Sequence, residues 1–134
     1  MQAIPQVSGM GSGKKILIVE DHRDSREALR ALFEAFGYVV TEATNGREAV
    51  DVARRDIPNL ILMDIMMPEL DGFDASRLIR CLPGFERTPI IAVTAMEDAQ
   101  KLALQAGMND YVRKPVDIRR LLTKVNGWLE PTAA

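Results

Sequence analysis

The sequence alternates five times between a short run rich in apolar residues and a longer segment in which apolar residues recur at helical spacing. The short runs lie at residues 16–19, 38–43, 60–63, 90–93 and 110–113. In the segment after the first run, apolar residues occupy the i, i+3, i+4 and i+7 positions of one helical face, and these are Leu29, Leu32, Phe33 and Phe36. Strands joined by helical crossovers lie parallel, and right-handed crossovers place helices on both faces of the sheet. The pattern therefore predicts an α/β fold with a five-stranded parallel sheet.

The residue types within the runs predict the order of the strands. The first, third and fourth runs are apolar throughout, as in strands that are covered on both faces. The second run includes Thr41 and Glu42, and the fifth includes Asp110 and Arg113, which suits strands at the edges. The order 2-1-3-4-5 puts the apolar strands inside and the mixed strands outside. This order is that of the flavodoxin-like doubly wound plan.

Helix boundaries are predicted from capping residues. Asp24 with Glu27, and Asn45 with Glu48, have the spacing of a capping box. Gly37 follows the first helical segment and is expected to end it. Further apolar stripes predict three more helices, with apolar positions at 75, 78, 79 and 82, at 99, 102, 103 and 106, and at 118, 121, 122 and 125.

Length and composition favour one globular domain with short tails. The chain has 134 residues, of which 47% are hydrophobic and 27% are charged, and a chain of this size and composition can bury a core. The first thirteen residues carry no charge and are rich in glycine and serine, so residues 1–13 are expected to form a flexible tail or linker. Residues 14–130 are expected to form the domain, and residues 131–134 a short C-terminal tail.

Charge and residue counts exclude several classes of protein. A net charge of −2 at pH 7 argues against direct binding of nucleic acid. A single cysteine, Cys81, excludes a disulfide framework within the chain and a cysteine-cluster zinc site, and a single histidine, His22, excludes a site built from several histidines. No apolar run approaches the ~20 residues of a membrane span, and the first residues contain no basic stretch followed by an apolar block. We therefore expect a cytoplasmic protein.

Polar side chains follow four of the predicted strands at the point where each strand ends. Glu20 and Asp21 come after the first strand, Asp64 ends the third, Thr94 ends the fourth, and Lys114 follows the fifth. Because parallel strands end at the same edge of a sheet, these side chains are expected to lie close together. Ligands of such sheets bind in the crevice where the winding reverses, which here lies between the first and third strands.

The charges of this group indicate a divalent cation. When all are ionised, three carboxylates and one lysine leave a charge of −2 in a partly buried crevice, which is unfavourable unless one carboxylate stays protonated or a cation binds. A carboxylate-rich site with room for water suits Mg²⁺ best and Mn²⁺ next. Asp64 is then the natural nucleophile, since a carboxylate that attacks phosphorus forms an aspartyl phosphate.

Five segments of the sequence resemble the receiver domain of bacterial two-component response regulators. They are IVED at 18–21, LMDIMMP at 62–68, DG at 71–72, PIIAVTA at 89–95 and GMNDYVRKP at 107–115. The resemblance extends over residues 14–130. One small departure is Leu70, where the family commonly has methionine, a nearly isosteric residue.

The resemblance implies a phosphorylation-dependent signalling switch. Asp64 would accept a phosphoryl group from a phosphohistidine on a sensor histidine kinase or a histidine phosphotransfer protein. Asp21, Asp64 and the backbone carbonyl of Met66 would bind Mg²⁺ directly, and Glu20 would bind it through water. Such a domain catalyses its own phosphorylation and dephosphorylation and is not an enzyme that acts on a separate metabolite.

The resemblance also implies how the switch works. Lys114 would pair with the phosphoryl oxygens, Thr94 would hydrogen-bond one of them, and the Lys114-Pro115 bond would be cis. Tyr111 would turn inward when Thr94 moves. The change would reach a downstream protein partner on the outer face of the fourth helix, fifth strand and fifth helix. This face carries Lys101, Gln105, Tyr111, Arg113 and Lys124.

Two other functions stay open at this point. A phosphatase of the haloacid-dehalogenase type also uses an aspartyl phosphate and Mg²⁺, but it needs a second aspartate two residues after the nucleophile, where this sequence has Met66. A flavodoxin would bind the phosphate of its flavin after the first strand, where this sequence has Glu20-Asp21. The sequence also leaves open whether the domain acts alone or belongs to a longer protein such as a hybrid histidine kinase, and which kinase and output it serves.

Overall fold

The computed structural model describes residues 13–130. The strands are β1 (Lys15–Val19), β2 (Val39–Ala43), β3 (Leu60–Asp64), β4 (Ile90–Thr94) and β5 (Asp110–Arg113). The helices are α1 (Arg23–Ala35), α2 (Gly46–Asp56), α3 (Gly72–Arg80), α4 (Gln100–Gln105) and α5 (Ile118–Leu129). The elements alternate from β1 to α5, as the sequence pattern predicted. The predicted tails, residues 1–13 and 131–134, lie outside the described residues except for Gly13.

The strands form one parallel sheet in the order β2-β1-β3-β4-β5. The doubly wound order predicted from the residue types of the strands is therefore confirmed. β3 and β4 are buried along their whole length, and β1 is buried after Lys15. Exposed residues such as Val39 and Arg113 lie on the edge strands β2 and β5.

The sheet separates two hydrophobic layers. On one face, α2, α3 and α4 contribute side chains such as Val52, Ile79 and Ala103. On the other face, α1 and α5 contribute Phe33 and Leu122. Successive residues of a strand point to opposite layers, so each central strand needs apolar residues at every position. Full burial of one large apolar side chain contributes about 1.5–3 kcal/mol to the free energy of unfolding.

The capping predictions are right at α2 and wrong at α1. Asn45 Oδ1 accepts a hydrogen bond from the N–H of Glu48 at 2.8 Å, as an N-cap residue does. Glu48 Oε1 accepts one from the N–H of Thr44 at 2.6 Å, so the return bond of the capping box goes to the residue before the cap. α1 begins directly after His22, whose side chain makes no capping bond, and Asp24 lies inside the first turn. Asp24 therefore acts on the helix through its charge near the positive end of the helix dipole.

Some residues of the predicted apolar stripes are not buried. Leu78 of α3, Leu102 of α4 and Ile118 of α5 are 48%, 46% and 55% exposed, although their spacing placed them on buried faces. In α4 the small Ala103 makes the buried contact instead. Ile118 is the first residue of α5, and the buried residues of this helix begin at Leu121.

Gly72, the first residue of α3, lets this helix start directly against the end of β3. A Cβ atom at this position would lie 2.3 Å from the backbone oxygen of Asp64 and 2.8 Å from the Cα of Ile65. The N–H of Gly72 donates to the carbonyl of Ile65 at 2.9 Å. Only glycine permits this close approach, which holds the loop after Asp64 against α3.

Arg80, the last residue of α3, connects three segments at the amino edge of the sheet, where β4 and β5 begin. Its guanidinium donates to the backbone carbonyls of Phe85 at 2.7 Å, Thr88 at 2.6 Å and Gly107 at 2.9 Å. It also donates to Asn109 Oδ1 at 2.7 Å. These five residues form a cluster that we call the Arg80 clamp. The clamp joins the end of α3 to the loops that precede β4 and β5.

Ile57 carries local backbone strain at the end of α2. Its φ of 50° and ψ of 69° are left-handed, which is rare for a β-branched residue, and it is 65% exposed. We expect Ile57→Asn to raise the free energy of unfolding by about 1 kcal/mol, because asparagine tolerates this conformation and little apolar burial is lost. Urea denaturation measures the change. Ile57→Val keeps the branched β-carbon and serves as the control, and equal stability of the two variants would contradict the strain.

Candidate functional site

Three carboxylates meet at the carboxyl edge of the sheet, where β1 and β3 lie side by side. Glu20 and Asp21 directly follow β1, and Asp64 is the last residue of β3. One carboxylate oxygen from each of the three residues lies within 4.8 Å of the others. The carboxylates border a cavity of about 330 Å³. Its other lining residues are His22, Ser25, Met66, Ala95 and Lys114.

Lys114 reaches this cluster from the segment after β5. Its Nζ donates to Glu20 Oε1 at 2.9 Å and lies 3.7 Å from Asp64 Oδ2. The peptide bond between Lys114 and Pro115 is cis, as the resemblance implied. The structure therefore brings together the four charged side chains that the strand ends predicted, with the lysine between two of the carboxylates.

The surroundings of Asp64 raise its pKa from 3.8 to about 6. Burial is the main cause, because the side chain is only 7% exposed and loses the water that would stabilise its charge. The nearby charge of Glu20 acts in the same direction. Lys114 opposes the shift, as does the N–H of Met66, which donates to Asp64 Oδ1 at 3.3 Å. Asp64 is therefore largely ionised at neutral pH, but its anion is destabilised.

The pKa values of Glu20 and Lys114 shift in favour of their charged forms. Burial alone would raise the pKa of Glu20, but the bond from Lys114 and the N–H of His22, which donates to Glu20 Oε2 at 2.9 Å, lower it. Burial alone would lower the pKa of Lys114, but the carboxylates of Glu20 and Asp64 raise it. Glu20 and Lys114 therefore form a charged pair at neutral pH, and Asp64 is left with the less compensated charge.

The cluster fits a hard divalent cation. Three negative charges and the one positive charge of Lys114 sum to −2 when all groups are ionised, which is costly in a partly buried crevice. The side-chain donors are carboxylate oxygens, and Asp21 is exposed, which leaves room for water ligands. Oxygen-rich sites that keep several waters are typical of Mg²⁺. The donor set is therefore suited to Mg²⁺.

Met96 hydrogen-bonds both residues that the resemblance implied as a switch. Its N–H donates to Thr94 Oγ1 at 3.1 Å, and its carbonyl accepts from the Tyr111 hydroxyl at 2.7 Å. Thr94 is fully buried at the end of β4, and Tyr111 is half-buried against the hydrophobic core. Tyr111 thus already faces inward in this structure, whereas the resemblance implied that it turns inward on phosphorylation.

The outer face of α4, β5 and α5 has a polar cluster of its own. Asp110 of β5 accepts hydrogen bonds from Lys124 Nζ at 3.0 Å and from the indole N–H of Trp128 at 2.8 Å. Burial would raise the pKa of Asp110, but these two bonds lower it. Trp128 is nevertheless 42% exposed. Lys101 and Gln105 of α4 are exposed as well, so the face presents both polar groups and an indole ring.

Three residues near the site gave no usable signal in the sequence. Arg26 of α1 donates to the backbone carbonyl of Glu20 at 3.1 Å, but nothing in its spacing distinguishes it from Arg23 on the same helix. Met96 hydrogen-bonds both switch residues through its backbone, which any residue type except proline could do. His22 lines the cavity, and nothing in its sequence pattern indicated this place.

Comparisons with known proteins agree with this geometry. Residues 16–126 match the family model of the response regulator receiver domain. The polar-differentiation response regulator DivK of Brucella anthropi is 36% identical over 118 residues, which cover 87% of this chain and 96% of DivK. Among solved structures, the receiver domain of the sensor histidine kinase PA1611 of Pseudomonas aeruginosa is 39% identical in sequence. The match has a TM-score of 0.81 and covers 87% of this chain and 98% of that one. That structure has a magnesium ion coordinated in its active-site cleft. The chemotaxis protein CheY4 of Vibrio cholerae is 26% identical, with a TM-score of 0.83 over 87% of this chain and 99% of its own.

The family match covers most of the chain and includes every residue of the site. The matched segment contains the carboxylates of Glu20, Asp21 and Asp64 as well as Thr94 and Lys114. Between residues 13 and 130, no helix is both long and apolar enough to cross a bilayer. The chain belongs to the response regulator receiver domains, which are signalling switches of two-component systems.

Proposed function

We propose that Asp64 accepts a phosphoryl group from a phosphohistidine donor, and that the modification alters the surface that the domain offers to a partner. The observation that carries this proposal is the setting of Asp64. Its carboxylate ends a central strand, lies 3.7 Å from Lys114 Nζ and has two further carboxylates within 4.8 Å. A carboxylate whose pKa is raised to about 6 is more basic than usual and still ionised at neutral pH, which favours nucleophilic attack.

In the transfer step, a carboxylate oxygen of Asp64 attacks the phosphorus atom, and the bond between phosphorus and the imidazole nitrogen of the donor breaks. The imidazole leaves with the electron pair, and Asp64 becomes an aspartyl phosphate. Lys114 would offset charge on the phosphoryl oxygens, because its Nζ already lies beside Asp64. Thr94 would donate its hydroxyl to one of them. Such transfer depends mainly on positioning and on charge neutralisation.

Mg²⁺ would be held directly by Asp21, Asp64 and the backbone carbonyl of Met66. Glu20 would contact the ion through a water molecule. Mn²⁺ would bind at the same site when it replaces Mg²⁺. When bound, the ion neutralises negative charge on the carboxylates and on the phosphoryl group. Asp21 suits this role because it is exposed at the cavity, whereas Glu20 is already engaged by Lys114. The magnesium ion in the cleft of the PA1611 receiver domain supports the assignment.

The switch would run through Met96. A phosphoryl group that draws the Thr94 hydroxyl toward Asp64 would also move Met96, whose N–H is bonded to that hydroxyl. The Tyr111 hydroxyl is bonded to the carbonyl of Met96, so the movement would reach β5 and the face formed by α4, β5 and α5. A ligand shifts such an equilibrium only through contacts that differ between the two states, and the Thr94 hydrogen bond is the proposed difference.

The partners would be those of a receiver domain. A histidine kinase or a histidine phosphotransfer protein would supply the phosphoryl group, and a second protein would read the face of α4, β5 and α5. The domain would extend over residues 14–130, act in the cytoplasm, and contact neither nucleic acid nor a membrane directly. It would catalyse only its own phosphorylation and dephosphorylation.

Phosphorylation of Asp64 can be tested with a small phosphodonor. We expect incubation with acetyl phosphate and Mg²⁺ to add the mass of a single phosphoryl group, measured on the intact protein. Asp64→Asn should abolish the added mass, because the nucleophile is lost. Asp74→Asn removes an exposed carboxylate of α3 and should be labelled like the wild type. Equal labelling of the Asp64→Asn variant would disprove the assignment.

A further inference from the structure

We infer that Arg26 is a positioning residue of the acidic site, which holds the peptide unit between Glu20 and Asp21 so that their carboxylates face Asp64. This inference rests on the proposed function, because it concerns the same cation-binding carboxylates. Arg26 Nη1 donates to the backbone carbonyl of Glu20 at 3.1 Å, and Arg26 Nε donates to Glu42 Oε1 at 2.9 Å. The guanidinium therefore links the segment after β1 to the edge strand β2.

The peptide unit after Glu20 determines where Asp21 points. The N–H of Glu20 donates to the carbonyl of Ala43 at 3.1 Å. This bond fixes the backbone of Glu20 at its amide nitrogen. On its carboxyl side, the Arg26 guanidinium bonds the carbonyl oxygen. Asp21 is exposed, so the direction of its side chain depends on the backbone that carries it. A rotation of this peptide unit would move the Asp21 carboxylate away from Asp64.

The position of the Arg26 side chain is fixed by an ion pair with β2. Glu42 of β2 bonds Arg26 Nε at 2.9 Å and Arg30 Nη1 at 2.7 Å. The side chains of Arg26 and Glu42 are only 13% and 23% exposed. Charge-assisted hydrogen bonds that are shielded from water keep their geometry better than exposed ion pairs do. The contact with the Glu20 carbonyl is therefore a fixed part of the site.

Arg23 provides a matched control on the same helix. It pairs with Glu27 at 2.9 Å, one turn further along α1, and its side chain is 79% exposed. Arg23→Ala and Arg26→Ala each remove one positive charge from α1. A difference between the two variants therefore reports the contacts of Arg26 with Glu20 and Glu42 rather than the change in net charge.

The experiment measures Mg²⁺ affinity by isothermal titration calorimetry, without a phosphodonor and far below the unfolding temperature. We expect Arg26→Ala to weaken Mg²⁺ binding by about 3- to 10-fold, at or below the lower end of the losses seen when groups that orient metal ligands are removed. Arg23→Ala should change the affinity less than about twofold, since an exposed pair contributes little. Arg26→Lys should fall between them, because one ammonium cannot bond both Glu20 and Glu42 in the same geometry.

Equal affinities for Arg26→Ala and Arg23→Ala would overturn the inference. If Arg26→Ala does not fold, Glu42→Gln takes its place, because it removes the charge that orients Arg26 while keeping the size of the side chain. An unchanged affinity in that variant would overturn the inference too. Labelling of Asp64 separates this failure from a failure of the proposed function. If Arg26→Ala weakens Mg²⁺ binding but the wild type is never phosphorylated, only the proposed function is contradicted.

Discussion

Replacement of Arg80 by alanine is expected to lower the free energy of unfolding by about 3–5 kcal/mol. The change removes the donor of the Arg80 clamp and leaves the carbonyls of Phe85, Thr88 and Gly107 and the side chain of Asn109 without that partner. The four bonds are part-buried, and an acceptor that loses its hydrogen bond while shielded from water costs about 1–3 kcal/mol. Burial lowers the pKa of Arg80, because a partly buried guanidinium loses water that would stabilise its charge. Arg80→Ala also removes this unfavourable desolvation of the guanidinium. The expected loss of stability is therefore smaller than the sum of the four hydrogen-bond contributions.

Two further variants separate the clamp from a general effect of charge. Arg80→Lys should restore less than half of the lost stability, because one ammonium cannot reach four acceptors that surround a planar guanidinium. Arg77→Ala removes an exposed arginine of the same helix, which pairs with Asp74 at 3.0 Å, and should cost no more than about 0.5 kcal/mol. Urea denaturation measures all three. A loss below about 1 kcal/mol in Arg80→Ala would mean that water satisfies the four acceptors.

Replacement of Asp64 by asparagine is expected to raise the free energy of unfolding by about 2–3 kcal/mol at pH 7 in the absence of metal. The folded protein holds the pKa of Asp64 at about 6, against 3.8 ordinarily. The carboxyl group therefore binds its proton more tightly in the folded state than in the unfolded chain. The stability that this provides is complete below about pH 4 and is lost as the pH rises through about 6. Asparagine is neutral throughout and avoids the loss.

Denaturation of both proteins across this pH range, with a chelator present, measures the effect. The two stabilities should converge near pH 4 and differ most at pH 7. Added Mg²⁺ should then stabilise the wild type more than the variant, because the variant lacks one of the proposed ligands. Asp74→Asn, whose carboxylate is 57% exposed, should show no comparable dependence on pH. A difference between Asp64→Asn and the wild type that stays constant from pH 4 to pH 7 would contradict the shifted pKa.

Most of the fold could be predicted because the central strands of a parallel sheet that is covered on both faces need apolar residues. Residues 60–63 and 90–93 must be apolar at every position, and such runs are easily recognised. The mixed runs at 38–43 and 110–113 then have to lie at the edges. The same topology brings Asp64 and Asp21 to one edge of the sheet, so the acidic cluster could be predicted from the sequence.

Other features depend on contacts that residue spacing does not encode. The N-terminus of α1 was misplaced because Asp24 can serve a helix either as a cap or as a charge in its first turn, and the preceding loop decides which. Arg26 reaches Glu20 only because Glu42 directs its guanidinium from another strand. The inward position of Tyr111 depends on the carbonyl of Met96, whose place is set by the loop after β4.

Trp128 gives the protein an optical probe of the face formed by α4, β5 and α5. It is the single tryptophan of the chain, and its indole N–H is bonded to Asp110 while part of the ring stays in contact with water. Emission from an indole shifts to shorter wavelength when water is displaced from it and changes in intensity when its hydrogen bond is broken. Occupancy of this face can therefore be followed by intrinsic fluorescence in real time, with the native sequence and without an attached dye.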